Sequence, residues 1–159
     1  MIEGNFNILF VDDDKDDCLF FKDALDELPI YSNLTTVYDG DQMMHLLRSK
    51  DIFPSVIFLD LNMPCKYGLD CLTEIKNNAE FEFNKINEIP ILLFSTSNDK
   101  ELINQMYTKN ATYYIQNPNV FRDLKKIIHH ALNLTVLFLP ASNAVGIHQP
   151  PKEDFVLSH

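Results

Sequence analysis

The chain has 159 residues, of which 46% are hydrophobic, and a formal net charge of −10. That length is enough for one domain with a sizeable core, and the hydrophobic share excludes a disordered chain. The acidic balance speaks against nonspecific binding to nucleic acid, where clustered Lys and Arg must meet the phosphates, and leaves a soluble protein that meets other proteins or a cation.

Met1-Ile2-Glu3-Gly4 has neither the basic start nor the apolar run of a signal peptide. The apolar stretch Leu134–Leu139 is far too short to span a bilayer, so no membrane partner is expected. Cys18, Cys65 and Cys71 are odd in number and lack zinc-type spacing. They read as reduced thiols of a cytoplasmic protein.

Apolar runs alternate with helical patterns along the chain. The first strand candidate is Ile8–Val11, and it stops abruptly in the stretch FVDDDKDD at 10–17. Cys18, Phe21, Leu25 and Leu28 then share a helical face, with Asp16 and Asp17 in a first turn whose dipole favours carboxylates. Leu34–Val37 is the second strand, and Asp39-Gly40-Asp41 has turn and cap chemistry before a helix carrying Met43, Met44, Leu46 and Leu47. Val56–Leu59 is the third strand, and Leu69, Leu72 and Ile75 mark the third helix. The polar segment 77–88 reads as an extension of that helix or its loop. Ile91–Phe94 and Thr112–Ile115 are the last strands, and the helices after them carry Leu102, Ile103 and Met106, then Phe121, Leu124, Ile128 and Ala131. Short, continuously apolar strands are those covered on both faces of a parallel sheet. Five such units predict a doubly wound α/β fold, a five-stranded parallel sheet with five helices, over residues 5–132. Residues 133–159, with Pro140, Gly146 and Pro150-Pro151, form a C-terminal extension too short for an independent core. Phe155-Val156-Leu157 is expected to dock back on the domain.

In open α/β sheets, ligands bind outside the carboxyl ends of the strands. Asp12, Asp13 and Asp14 follow the first strand, Asp60 the third, Ser95 and Thr96 the fourth, and Gln116, Asn117 and Pro118 the fifth. If the first and third strands are neighbours, three carboxylates converge. Oxygen-only ligands of this kind suit a hard divalent cation such as Mg²⁺. A carboxylate beside such a cation can act as a nucleophile and form an acyl phosphate.

With these residues in view, the chain resembles a response-regulator receiver domain of bacterial two-component signalling, of the stand-alone, chemotaxis-regulator-like kind. The matching pieces are ILFVDDD at 8–14, VIFLDLNMP at 56–64, IPILLFSTS at 89–97 and YYIQNP at 113–118. The resemblance covers roughly residues 5–132 and implies a flavodoxin-like receiver fold. It implies that Asp60 is the phosphoacceptor and that Asp12 and Asp13 form the acidic pair, with Asp13 the more direct ligand of Mg²⁺. Asn62 would lend the metal its backbone carbonyl. Ser95 would bond the phosphoryl group, and Tyr114 would be the aromatic that moves inward with it. Pro64, Gly68 and Pro118 match the family's turn residues. The family carries a lysine just before the last proline, where this chain has Asn117. Asn offers an amide but no charge, so phosphorylation is expected to survive more readily than switching.

The implied partners are a sensor histidine kinase or phosphotransfer protein and a downstream protein target. The implied role is that of a monomeric or weakly dimeric signalling protein that is no enzyme apart from promoting its own phosphorylation and dephosphorylation. Two rival readings stand beside it. A phosphatase of the haloacid dehalogenase superfamily would need a second Asp at position 62 and its nucleophile after the first strand. A degenerate receiver would bind partners without phosphate control; Asn117 favours it, and Asp12, Asp13, Asp60 and Ser95 argue against it.

Overall fold

The computed structural model describes residues 5–63, 68–95, 101, 104–105, 113–116 and 121–138. Five strands, β1 (Asn5–Val11), β2 (Tyr31–Val37), β3 (Val56–Asp60), β4 (Ile91–Ser95) and β5 (Tyr113–Gln116), form one sheet in the order β2-β1-β3-β4-β5. Every neighbouring pair is parallel. The first and third strands are adjacent, as the convergence of carboxylates requires. The helices are α1 (Lys15–Asp26), α2 (Gly40–Ser49), α3 (Gly68–Asn77), α4 (Ala79–Phe83) and α5 (Phe121–Phe138).

Alternate residues of the strands feed two cores. Leu9, Val11, Ile57, Leu59 and Leu93 pack with α2 and α3 residues such as Met43, Met44, Leu47, Leu72 and Ile75. On the other face Phe6, Ile8, Phe10, Val56, Phe58, Leu92 and Phe94 pack with Phe21, Leu25, Leu124 and Ile128 of α1 and α5. Phe10, Phe21, Phe58 and Phe94 form a chain of touching rings in this second core. Phe10 stacks on Phe21 with centroids 4.1 Å apart, Phe21 meets Phe58 edge-on at 4.9 Å, and Phe58 stacks on Phe94 at 5.7 Å. They brace β1, β3 and β4 just below the ends where the candidate site lies.

The structure differs from the sequence expectations in three respects. First, β1 and β2 begin at Asn5 and Tyr31, three residues earlier than the apolar runs. Polar pairing supports these beginnings: Asn33 Nδ2 donates to Asn7 Oδ1 at 3.1 Å, and the Asn7 amide donates to Ser55 Oγ at 3.1 Å. Second, segment 77–88 does not prolong α3. Asn78 ends it and caps α4 by accepting from the Glu80 amide at 2.9 Å. A 3₁₀ turn follows at Ile86–Glu88, and Phe81 and Ile86 plug the α2/α3 core. Third, α5 runs to Phe138, so the expected boundary after 132 falls inside a helix. Thr135 is buried there, and its hydroxyl donates to the Leu132 carbonyl at 2.7 Å.

β2 lies at one edge of the sheet, and its seven residues, YSNLTTV, include no charge and no proline. Of the fourth sequence-predicted helix, Glu101, Asn104 and Gln105 are helical. Leu102, Ile103 and Met106 lie outside the described residues, as do the docking residues 155–157 and most of the C-terminal extension. Among the described residues, no helix is long and apolar enough to cross a membrane.

Candidate functional site

β1 ends by passing its pairing to the loop. The Asp12 amide donates to the Val37 carbonyl at 3.2 Å, one step beyond the β1–β2 ladder. Asp12 Oδ1 then accepts from the Asp14 amide at 2.9 Å, which closes a tight turn. Asp14 in turn caps α1, accepting from the amides of Asp16 and Asp17 at 2.8 and 3.3 Å. The aspartates fold this loop themselves, and the turn leaves Asp12 buried at 7% exposure and Asp13 exposed. On β3, Asp60 pairs with Phe94, and the Leu61 amide donates to the Phe94 carbonyl at 3.0 Å. Carboxylate oxygens of Asp12, Asp13 and Asp60 all lie within 4.8 Å of one another.

That proximity costs charge stability. Burial pushes the Asp12 carboxyl up to about 7, against the Asp14 amide that stabilises its anion, and the negative charges of Asp60, Asp17 and Asp13 push the same way. Asp60 is also raised by burial and by Asp13 and Asp17, while the amides of Asn62 and Leu61 favour its charged form. Three oxygen donors that repel one another in a half-buried cup fit a hard divalent cation, because its charge removes the repulsion and its bonding asks only for oxygens. Asp12, Asp13 and Asp60 could hold it.

Of the other predicted site residues, Asn62 is exposed and contributes its backbone amide to Asp60. Ser95 ends β4, one residue past the partner of Asp60, and pairs with Gln116. Tyr114 pairs with Leu93 inside β5. Only the backbone of Ser95 and Tyr114 is described. Asn117, Pro64 and Pro118 lie outside the described residues. Asp39 caps α2 by accepting from the Gln42 amide at 2.7 Å. Sequence reasoning missed Cys18 at the site: its Sγ lies 3.4 Å from the Asp12 carbonyl oxygen, and burial with the surrounding aspartates pushes the thiol up to about 11. It is a thiol, not a thiolate nucleophile. The amides of Leu61 and Asn62 were missed too, since backbone donors leave no mark in a sequence.

Residues 8–129 match the family described as the response regulator receiver domain. The chain belongs to the response regulator receiver family. Among curated receiver proteins it is 28% identical over 142 residues to the response regulator Rcp1 of Synechocystis sp., covering 85% of this chain and 93% of that one. It is 25% identical over 130 residues to the probable methanogenesis regulatory protein FilR2 of Methanothrix harundinacea, covering 79% and 81%. Among solved receivers, the phosphorylated cyanobacterial phytochrome response regulator RcpA superposes with a TM-score of 0.70 at 27% identity, over 88% of this chain and 98% of that chain. The Mn²⁺-bound form of Rcp1 does so with 0.68 at 25% identity, over 89% and 99%. The receiver fold expected from the motifs is the fold observed.

Proposed function

We propose that this protein is a single-domain response regulator of the cytoplasm that accepts a phosphoryl group on Asp60 and signals by protein–protein contact. The observation that carries the reading is the convergence of Asp12, Asp13 and Asp60 within 4.8 Å at the ends of β1 and β3. The donor is a sensor histidine kinase or phosphotransfer protein, and the output is a contact with a downstream protein target. A carboxylate oxygen of Asp60 attacks phosphorus. The new O–P bond forms as the P–N bond to the donor imidazole breaks, and the imidazole leaves with the electron pair. Mg²⁺, held by Asp12, Asp13, Asp60 and the Asn62 backbone carbonyl, would neutralise charge on the transferring oxygens. The Mn²⁺-bound Rcp1 and phosphorylated RcpA structures support this by analogy. Ser95 bonds the phosphoryl group, Tyr114 follows it inward, and Asn117 stands in the lysine position. The protein is otherwise no enzyme, although the same site promotes gain and loss of the phosphoryl group. The receiver unit takes residues 5–132, with the end of α5 and the residues beyond it as an extension.

The test is intact mass after incubation with Mg²⁺ and acetyl phosphate. A single phosphoryl adduct is expected, absent from Asp60→Asn and from metal-free protein. No adduct from acetyl phosphate or from a cognate kinase would favour the second reading, a degenerate receiver that binds partners without phosphate, to which Asn117 points.

A further inference from the structure

Gly68 opens α3 directly against the backbone of Asp60. A Cβ at this position would lie 2.6 Å from the Asp60 carbonyl oxygen and 3.1 Å from both Cα and Cδ2 of Leu61. The first distance is shorter than real side chains make, and the atom it meets is main chain, which cannot rotate aside. The Gly68 backbone is not left-handed, so glycine is needed here for space and not for its conformational freedom.

The Asp60 carbonyl belongs to the same planar unit as the Leu61 amide. That amide donates to the Phe94 carbonyl at 3.0 Å and also faces the Asp60 carboxylate, with the Asn62 amide beside it. A push on the carbonyl end therefore tilts the donor end. We propose that Gly68 is a positioning residue: by letting α3 close onto the Asp60–Leu61 peptide, it fixes the amides that aim the Asp60 carboxylate. The proposal rests on the reading of Asp60 as acceptor for its consequence, but not for its geometry.

The experiment compares Gly68→Ala with Ile75→Val, a buried position on the same helix that serves as a stability control. Two quantities are read in the full chain. One is the rate of adduct formation with Mg²⁺ and acetyl phosphate, by intact mass. The other is the pair of ¹H–¹⁵N signals of the Leu61 and Asn62 amides in ¹⁵N-labelled, metal-free protein at one fixed pH. Gly68→Ala is expected to slow the adduct at least about tenfold, the factor that corresponds to 1.4 kcal/mol, and to move both amide signals. Ile75→Val should stay within about twofold of the parent, about 0.4 kcal/mol on the same scale, with both signals in place. Equal slowing by both variants, or unmoved signals in Gly68→Ala, overturns the proposal. If Gly68→Ala does not fold, amide exchange in the parent decides: a protected Asn62 amide supports it, and an Asn62 amide exchanging as freely as an exposed loop overturns it. If the parent forms no adduct, the acceptor reading fails, and the amide signals still judge Gly68.

Discussion

In the metal-free protein Asp12 keeps its proton up to about pH 7, because burial and three neighbouring aspartates oppose its charge. An unfolded chain releases the same proton near the ordinary carboxylate value of 3.8. Between those values the folded state binds a proton that the unfolded state does not. The stability from this group is complete below the window and is lost as pH rises through it, by up to about 1.4 kcal/mol per pH unit. Asp60 shifts in the same direction. The metal-free melting temperature is therefore expected to fall from pH 5 to pH 8, and Mg²⁺ should raise it more at pH 8 than at pH 5. Asp12→Asn should flatten both trends, since an Asn oxygen can still accept the Asp14 amide. A metal-free melting temperature that climbs across the window would contradict this account. The types and spacing of these aspartates were legible in the sequence, because a run of five carboxylates at a strand end has few structural uses. That Asp12 is buried and Asp13 is not could not be read, because it depends on where the Val37 carbonyl receives the chain.

At the scale of elements, β3 carries the site and owes its position to the rings around Phe58. Phe58 is fully buried between Phe21 and Phe94, two residues before Asp60. Phe58→Ala is expected to cost about 3–5 kcal/mol, measured by denaturant unfolding. A loss below about 1 kcal/mol would mean that the ring cluster does not brace the strands. The continuous apolar runs made β3 and β4 readable to within one residue. The early parts of β1 and β2 were hidden because they lack a continuous apolar run: Asn5 and Asn7 alternate with buried Phe6 and Ile8, and the exposed Asn7 pairs with Asn33 and Ser55. α4 was hidden as well. Segment 77–88 is mostly polar, and only the burial of Phe81 and Ile86 shows that two side chains hold it to the core.

At the scale of the molecule, strand order decides whether a site exists at all. Residue patterns gave five strands and helices between them, but β1 beside β3 was a condition, met only in the folded sheet. The family motifs supplied what periodicity could not. The same order leaves β2 at an edge, with seven residues free of charge and proline. Edges of that kind usually carry a lysine, a proline or a bulge that discourages a second strand from adding on. Every copy carries a net charge of −10, so long-range repulsion between whole molecules is expected to take over that protection. Colloidal behaviour should then depend on screening: light scattering is expected to show monomers in dilute buffer and growing association near 1 M salt, where the Debye length shrinks to about 3 Å. Tyr31→Lys, at the exposed start of that strand, should restore solubility at high salt. The acidic surplus, spread over the whole surface, would thus act as the gatekeeper that this strand lacks in its own residues.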